Sequence, residues 1–258
     1  MMRHIKAFLI VSFALAACSA GSKDADPFNY TIKIKNFTNL IFTQKETSWA
    51  LNSDNEKFVL PATPFQKTEG SGRNVKITSG DFSSAANETA AENFTEDTML
   101  LSINSEPVKK LAEQIASQGN IARNTEKFVY NYITNKANGL PLTPSLNIIE
   151  TRSGDCKQHT VLTVALLRSM GIPARALIGM IATSYFKRQE NVFVFHMWAE
   201  AYYNGRWILI DATRPEDIHP NRYIAFAYHN LRTMTPLSYI KAVSGIQNMS
   251  AEYIGGKP

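Results

Sequence analysis

Cysteine is almost absent: the 258 residues contain two, Cys18 and Cys156. That excludes a disulfide-stapled scaffold, and a chain of this length needs no staples to hold a core. No apolar run of about 18 residues follows the N-terminal segment, which excludes a polytopic membrane protein. There is no Gly-rich phosphate loop, no EF-hand loop and no Cys/His pair at zinc spacing, so neither a cofactor nor a metal is expected. Charge of one sign is also scarce. Against 22 acidic residues stand 27 basic ones, and Arg3 and Lys6 lie in a segment expected to be removed. So small and scattered an excess excludes a nucleic-acid footprint. What is there is an ordinary folded composition, 44% hydrophobic and 19% charged, enough for one large domain or two small ones.

Arg3 and Lys6 precede an apolar stretch, Ala7 to Ala17, too short to span a bilayer and suited to a signal peptide. It ends Leu15-Ala16-Ala17-Cys18-Ser19, which resembles the lipobox of bacterial lipoproteins. The resemblance implies cleavage before Cys18, a lipid on its thiol, and attachment to a membrane by acyl chains. The alternative is a plain signal peptide followed by a chance cysteine. Ser19 to Lys23 reads as a flexible tether. Ser19 after the cysteine, in place of Asp, resembles outer-membrane sorting in enteric-type bacteria. The expected organisation is a signal peptide at 1–17, a lipidated tether at 18–27, a β-rich region at 28–100 and a core domain at 101–258.

Alternation and β-formers predict strands at Tyr30–Lys35, Leu40–Thr43 and Phe58–Leu60. Residues 68–96 read as loops around a strand at Asn74–Thr78. From Ser105 the pattern turns helical. Ser105 caps a helix with the stripe Val108, Leu111, Ala112 and Ile115, and Thr125 caps a second with Phe128, Val129, Tyr132 and Ile133. The segment Ala137–Pro144 breaks it. A third helix begins at Cys156, buries Val161, Leu162, Ala165, Leu166 and Ser169, and stops at Gly171 and Pro173. Ala174–Ala182 reads as a strand and Thr183–Asn191 as a polar loop. Strands Val192–Tyr203 and Arg206–Asp211 are joined by an Asn204-Gly205 turn.

With Cys18 lipidated, Cys156 is the remaining thiol, either buried and inert or present for its reactivity. Its place in the first turn of a helix predicts a lowered thiol pKa and supplies a main-chain N–H for an oxyanion. The hairpin adds geometry. Pairing Tyr203 with Arg206 sets Trp198 opposite Asp211 and His196 diagonal to it, within about 7–8 Å between Cβ atoms. Asp211 is then expected to accept the Nδ1 proton of His196 and leave the other nitrogen for a thiolate. Each residue alone has a bland reading as core, strand or turn. The combination is what points to nucleophilic catalysis.

Gly154-Asp155-Cys156-Lys157-Gln158-His159, Ala165–Arg175, His196-Met197-Trp198-Ala199-Glu200, Gly205-Arg206-Trp207 and Asp211-Ala212-Thr213 together resemble the core of the transglutaminase-like superfamily. The resemblance implies an α+β, papain-like fold, its nucleophile helix packed on an antiparallel sheet and a small β-rich region before it. It implies a triad of Cys156 as nucleophile, His196 as general base and acid, and Asp211 as the residue orienting His196. Trp198 and Trp207 are candidates for the wall of the site, with core packing as the alternative. Arg175 reads as structural, Glu200 as structural or exposed, and His159 as helix surface or core.

The implied reaction is cysteine-dependent acyl transfer on protein or peptide amides of the cell envelope: transamidation, deamidation or hydrolysis. The alternative is a non-catalytic domain used for binding or assembly. The expected location is periplasm-facing and lipid-anchored, at the outer membrane. Replacing Cys18 by Ser in the full chain should abolish acyl labelling and release the protein from the membrane pellet. Undiminished labelling would overturn the lipobox reading.

Overall fold

The computed structural model describes residues 30–84, 92–117, 119–233, 246 and 248–258. The expected signal peptide and tether, with Cys18, lie outside them. The chain forms an α+β structure around one sheet. Its strands are β1 (Thr31–Lys35), β2 (Glu46–Asn52), β3 (Gln66–Ser71), β4 (Asn74–Gly80), β5 (Ala174–Phe186), β6 (Gln189–Tyr203), β7 (Arg206–Ile210), β8 (Tyr223–His229) and β9 (Ser250–Lys257). The spatial order is β3-β4-β2-β9-β1-β6-β5-β8, with β7 also on β6. The expected division at residue 100 does not divide this sheet, because β1 pairs with β6 and β2 with β9.

Four helices lie between β4 and β5: α1 (Glu106–Ala116), α2 (Ile121–Tyr132), α3 (Ser145–Thr151) and α4 (Cys156–Ser169). The central helix is α4, which packs on β6 while α1, α2 and α3 pack on it. Every residue from Lys157 to Arg168 is buried, so α4 has no solvent face. It ends in a Schellman motif, with Gly171 at φ 75° and Ile172 N–H donating to the Leu167 carbonyl at 3.0 Å.

Several expectations need correction. Leu40–Thr43 is not a strand: Asn39–Phe42 is a 3₁₀ turn, whose first N–H groups the Thr38 hydroxyl captures at Leu40. Phe58–Leu60 alternates buried and exposed as a strand would, yet pairs with no strand. One of its few main-chain bonds is Gly72 N–H to the Phe58 carbonyl. Alternation there records an extended chain, not a ladder. The expected loop at 68–71 belongs to β3, which pairs with β4. The second helix starts four residues earlier than Thr125, capped by the Asn120 side chain, while Thr125 donates to the Ile121 carbonyl inside it. Thr183–Asn191 is not a loop either. β5 and β6 continue through it to a two-residue turn at Lys187 and Arg188, both at positive φ. This tip extends past β8, whose pairing ends at Ile181, so most of its side chains meet solvent and the segment lacks an apolar signature.

Gly179 sits opposite His196, where the pairing of β5 with β8 is irregular. A Cβ there would stand 1.9 Å from the Ile224 carbonyl oxygen and 2.8 Å from the Trp198 ring. Gly179→Ala should therefore cost about 3 kcal/mol as an overpacked position. An unchanged urea midpoint would mean that β8 can shift without loss.

Candidate active site

The site lies where β6 loses its outer neighbour. β1 covers that edge at Val192–Val194, and Phe195 N–H reaches the Tyr30 carbonyl at 3.1 Å. β7 covers it again from Ala199 onward. Between them lies an opening at His196–Trp198, and the N-terminus of α4 meets β6 there. The main-chain N–H of Met197 hydrogen-bonds the Cys156 sulfur. Cys156 and His196 line one cleft of about 380 Å³, together with Lys136, His159, Tyr185 and Arg214 among others.

The local sequence fixes the start of α4 tightly. Asp155 caps it, accepting from Lys157 N–H at 3.0 Å, and Asp155 N–H in turn donates to Oε1 of Gln158, also at 3.0 Å. Gln158 Nε2 donates to the Pro141 carbonyl at 2.6 Å and ties down the preceding segment. Gly154 is required for this closeness, since a Cβ would stand 2.3 Å from Cβ of Gln158. Cys156 thereby occupies the first helical position, where its N–H has no intrahelical acceptor.

The hairpin register holds as expected from Tyr203↔Arg206 to Ala199↔Ile210, with Asn204 and Gly205 both at positive φ. It brings His196 to Asp211, but through the other nitrogen: Nε2 of His196 meets Oδ2 of Asp211 at 2.7 Å. The carboxylate, just beyond the end of β7, meets the far side of the ring. An ionised carboxylate can only accept, so Nε2 carries the proton and Nδ1 is the basic nitrogen. Tyr223 donates to the same Oδ2 at 2.8 Å, and Oδ1 accepts from Thr213 N–H at 3.0 Å and from its hydroxyl at 2.6 Å. Burial opposes ionisation of Asp211, yet His196, Arg214 and Thr213 outweigh it and hold the carboxyl well below its usual range.

The thiol behaves differently from the helix-start expectation. Burial pushes Cys156 up from its ordinary value and the Asp155 charge adds to this, against the opposing Lys157 and Met197 N–H. The residue is half-buried and lines the cleft. The helix terminus alone does not make a thiolate here.

Trp198 is buried and stacks beside His196 with ring centroids 6.2 Å apart. Trp207 lies elsewhere, over the guanidinium of Arg175 at 3.8 Å. Neither tryptophan lines the cleft. Arg175 forms a buried ion pair with Glu200 at 2.7 Å, so Glu200 is structural and not exposed. His159 is buried and does line the cleft. Its Nδ1 donates to the Asp155 carbonyl at 2.6 Å, and Nε2, neutral because burial lowers the ring to about 4, accepts from Lys136 at 2.9 Å. Among the described residues, no three His, Cys, Asp or Glu side chains are grouped as a metal would need.

Three residues around Asp211 escaped the sequence reading: Arg214, Tyr223 and Glu126. Tyr223 lies beyond the recognised motifs and nothing in its spacing marks it. Glu126 was detectable: it stands with Val129 and Ile133 on the apolar stripe of α2, a lone carboxylate on a buried face. Its Oε1 accepts from Asp211 N–H at 2.7 Å, and Oε2 meets Arg123 at 3.0 Å. Burial pushes Glu126 up to about 7 against the Arg123 charge.

Residues 107–212 match the profile of the transglutaminase-like superfamily. A peptide-N(4)-(N-acetyl-beta-glucosaminyl)asparagine amidase of Eremothecium gossypii is 29% identical over 113 residues, 42% of this chain and 27% of its own length. The chain thus spans about a quarter of that relative. Among solved structures, a candidate cysteine protease from Cytophaga hutchinsonii aligns with TM-score 0.49 and 16% identity over 87% of this chain and 85% of its own. The periplasmic domain of TgpA from Pseudomonas aeruginosa aligns with TM-score 0.48 and 13% identity over 76% and 85%.

The raised Glu126 value has a sign. A carboxyl whose folded value lies above its unfolded value of 4.5 contributes fully below that pH and loses its contribution as pH rises through about 7. Glu126→Gln should therefore raise stability at about pH 8 by about 3 kcal/mol, with no gain near pH 4.5. Urea unfolding at the two pH values checks it.

Proposed function

We propose that this protein is a cysteine-dependent acyl-transfer enzyme acting on protein or peptide amides. The observation that carries the reading is the 2.7 Å bond from His196 Nε2 to Asp211, which leaves Nδ1 as a base in the cleft that Cys156 lines. In this reading the Cys156 thiol passes its proton to His196 Nδ1, and the sulfur attacks the amide carbonyl. The main-chain N–H of Cys156 stabilises the oxyanion. His196 returns the proton to the departing nitrogen, ammonia or an amine leaves, and a thioester remains. Water or a second amine, deprotonated by His196, then takes the acyl group and restores the thiol.

The raised thiol pKa is consistent with this order of events. In a buried site a lone thiolate is costly, so the sulfur ionises by transfer to a held imidazole whose charge the Asp211 carboxylate offsets. Hydrolysis and transamidation share every group named, and a labelled amine offered beside water would tell them apart. We also propose that a lipid on Cys18 holds the domain at an envelope membrane. Among the described residues, no helix is long and apolar enough to cross one.

The test is iodoacetamide alkylation of Cys156 in the full chain, followed by mass spectrometry of its peptide. His196→Ala should slow it by about tenfold or more near neutral pH. An equal rate in the folded variant would sink the enzyme reading and leave the domain as a binding or assembly module.

A further inference from the structure

Glu126 is wholly buried on α2 and is not among the residues that line the cleft. It holds the main chain of Asp211 from behind. Its Oε1 accepts Asp211 N–H at 2.7 Å, and Arg123, which it pairs, donates to the Leu209 carbonyl at 3.0 Å. Two residues of α2 about one turn apart, Arg123 and Glu126, thereby clip the end of β7 at two points. The clip falls where the ladder gives out, because the pairing of β6 with β7 stops at Ala199↔Ile210, one residue short of Asp211.

A neutral glutamine would accept the same N–H bond without the cost of burying a charge. The carboxylate therefore does something an amide would not. We propose that Glu126 is a positioning residue, which fixes Asp211 against His196 and, when ionised, adds negative charge that favours proton uptake by His196 from Cys156. This rests on the acyl-transfer reading of the same site.

The charges around Glu126 are few. On its own helix, Arg123 faces it, while Lys127 turns to Glu216 at 3.0 Å. After β7 come Asp211 and Arg214, which pairs with Asp211 at 3.6 Å; His196 of β6 and Tyr223 of β8 stand on the far side of that carboxylate. On α4, Lys157 is paired with Asp155 and His159 with Lys136. The charged residues of α1, Glu106, Lys109, Lys110 and Glu113, are exposed. Of these, Arg123 and Asp211 act on Glu126 in opposite directions, and burial pushes it up to about 7. It therefore changes charge within the working range of most enzymes.

The experiment follows two readouts in the full chain from about pH 5 to 9: alkylation of Cys156, and the NMR titration of the His196 ring. In the unmodified protein, alkylation should rise through an inflection near 7 as Glu126 ionises. E126Q should lose that inflection, alkylate about tenfold more slowly at about pH 8, match the unmodified protein near pH 5, and titrate His196 at a lower midpoint. R123Q, which removes the facing cation, should move the inflection to higher pH and gives the answer should E126Q fail to fold. If His196→Ala slows alkylation but E126Q alters neither profile nor midpoint, Glu126 is a brace alone and the proposal falls. If E126Q shifts the His196 midpoint while His196→Ala leaves alkylation unchanged, the positioning role stands and the enzyme reading falls.

Discussion

The carboxylate of Asp211 is the point on which the site depends. It is buried, so leaving it without partners would be prohibitive, and four donors meet it: the His196 ring, the Tyr223 phenol, and the Thr213 N–H and hydroxyl. Those donors come from β6, β8 and the segment after β7, and the main chain of the same residue is held from α2. Asp211 thus ties two strands, the segment after β7 and a helix to one place. Moving any of them strips a bond from an ion that cannot reach water, which holds the imidazole in one orientation.

The same logic explains the arrangement at Cys156. A helix terminus in water lowers a thiol's pKa, but this one is packed on a sheet, and desolvation raises it. The charge balance then sits with the pair. In the proposed mechanism Cys156 and His196 exchange one proton, and Asp211, held ionised, makes the exchange tolerable inside a low-dielectric cleft. Glu126 adds a second carboxylate behind the first, at a cost in stability that a glutamine in the same place would avoid.

Much of this was legible in the residues. The Asn204-Gly205 turn sets a register that cannot slip by one residue without moving every side chain of β6 to the other face of the sheet, so the meeting of His196 and Asp211 followed from counting. The helix beginning at Cys156 was readable from its cap, its stripe and its Gly-x-Pro stop. Which ring nitrogen Asp211 would meet was not, since register fixes Cβ positions and not the turn of a ring. The tip of the β5–β6 hairpin read as a loop because solvent on most sides removes the apolar signal that marks a strand. The 3₁₀ turn at Asn39–Phe42 read as a strand because three apolar residues in a row carry no period. Glu126 was on view but lacked meaning until the end of β7 was placed beside it.

The strand order carries a consequence for how the chain is made. β1, which borders the opening in β6, and β2, which leads the N-terminal hairpin, meet only through β9. β9 pairs parallel to β1 and antiparallel to β2, so strands from the first fifth of the sequence wait for one from its final residues. During synthesis the N-terminal strands emerge with an open edge that no later segment fills until β9 has left the ribosome. The sheet therefore closes only once β9 has joined β1 and β2.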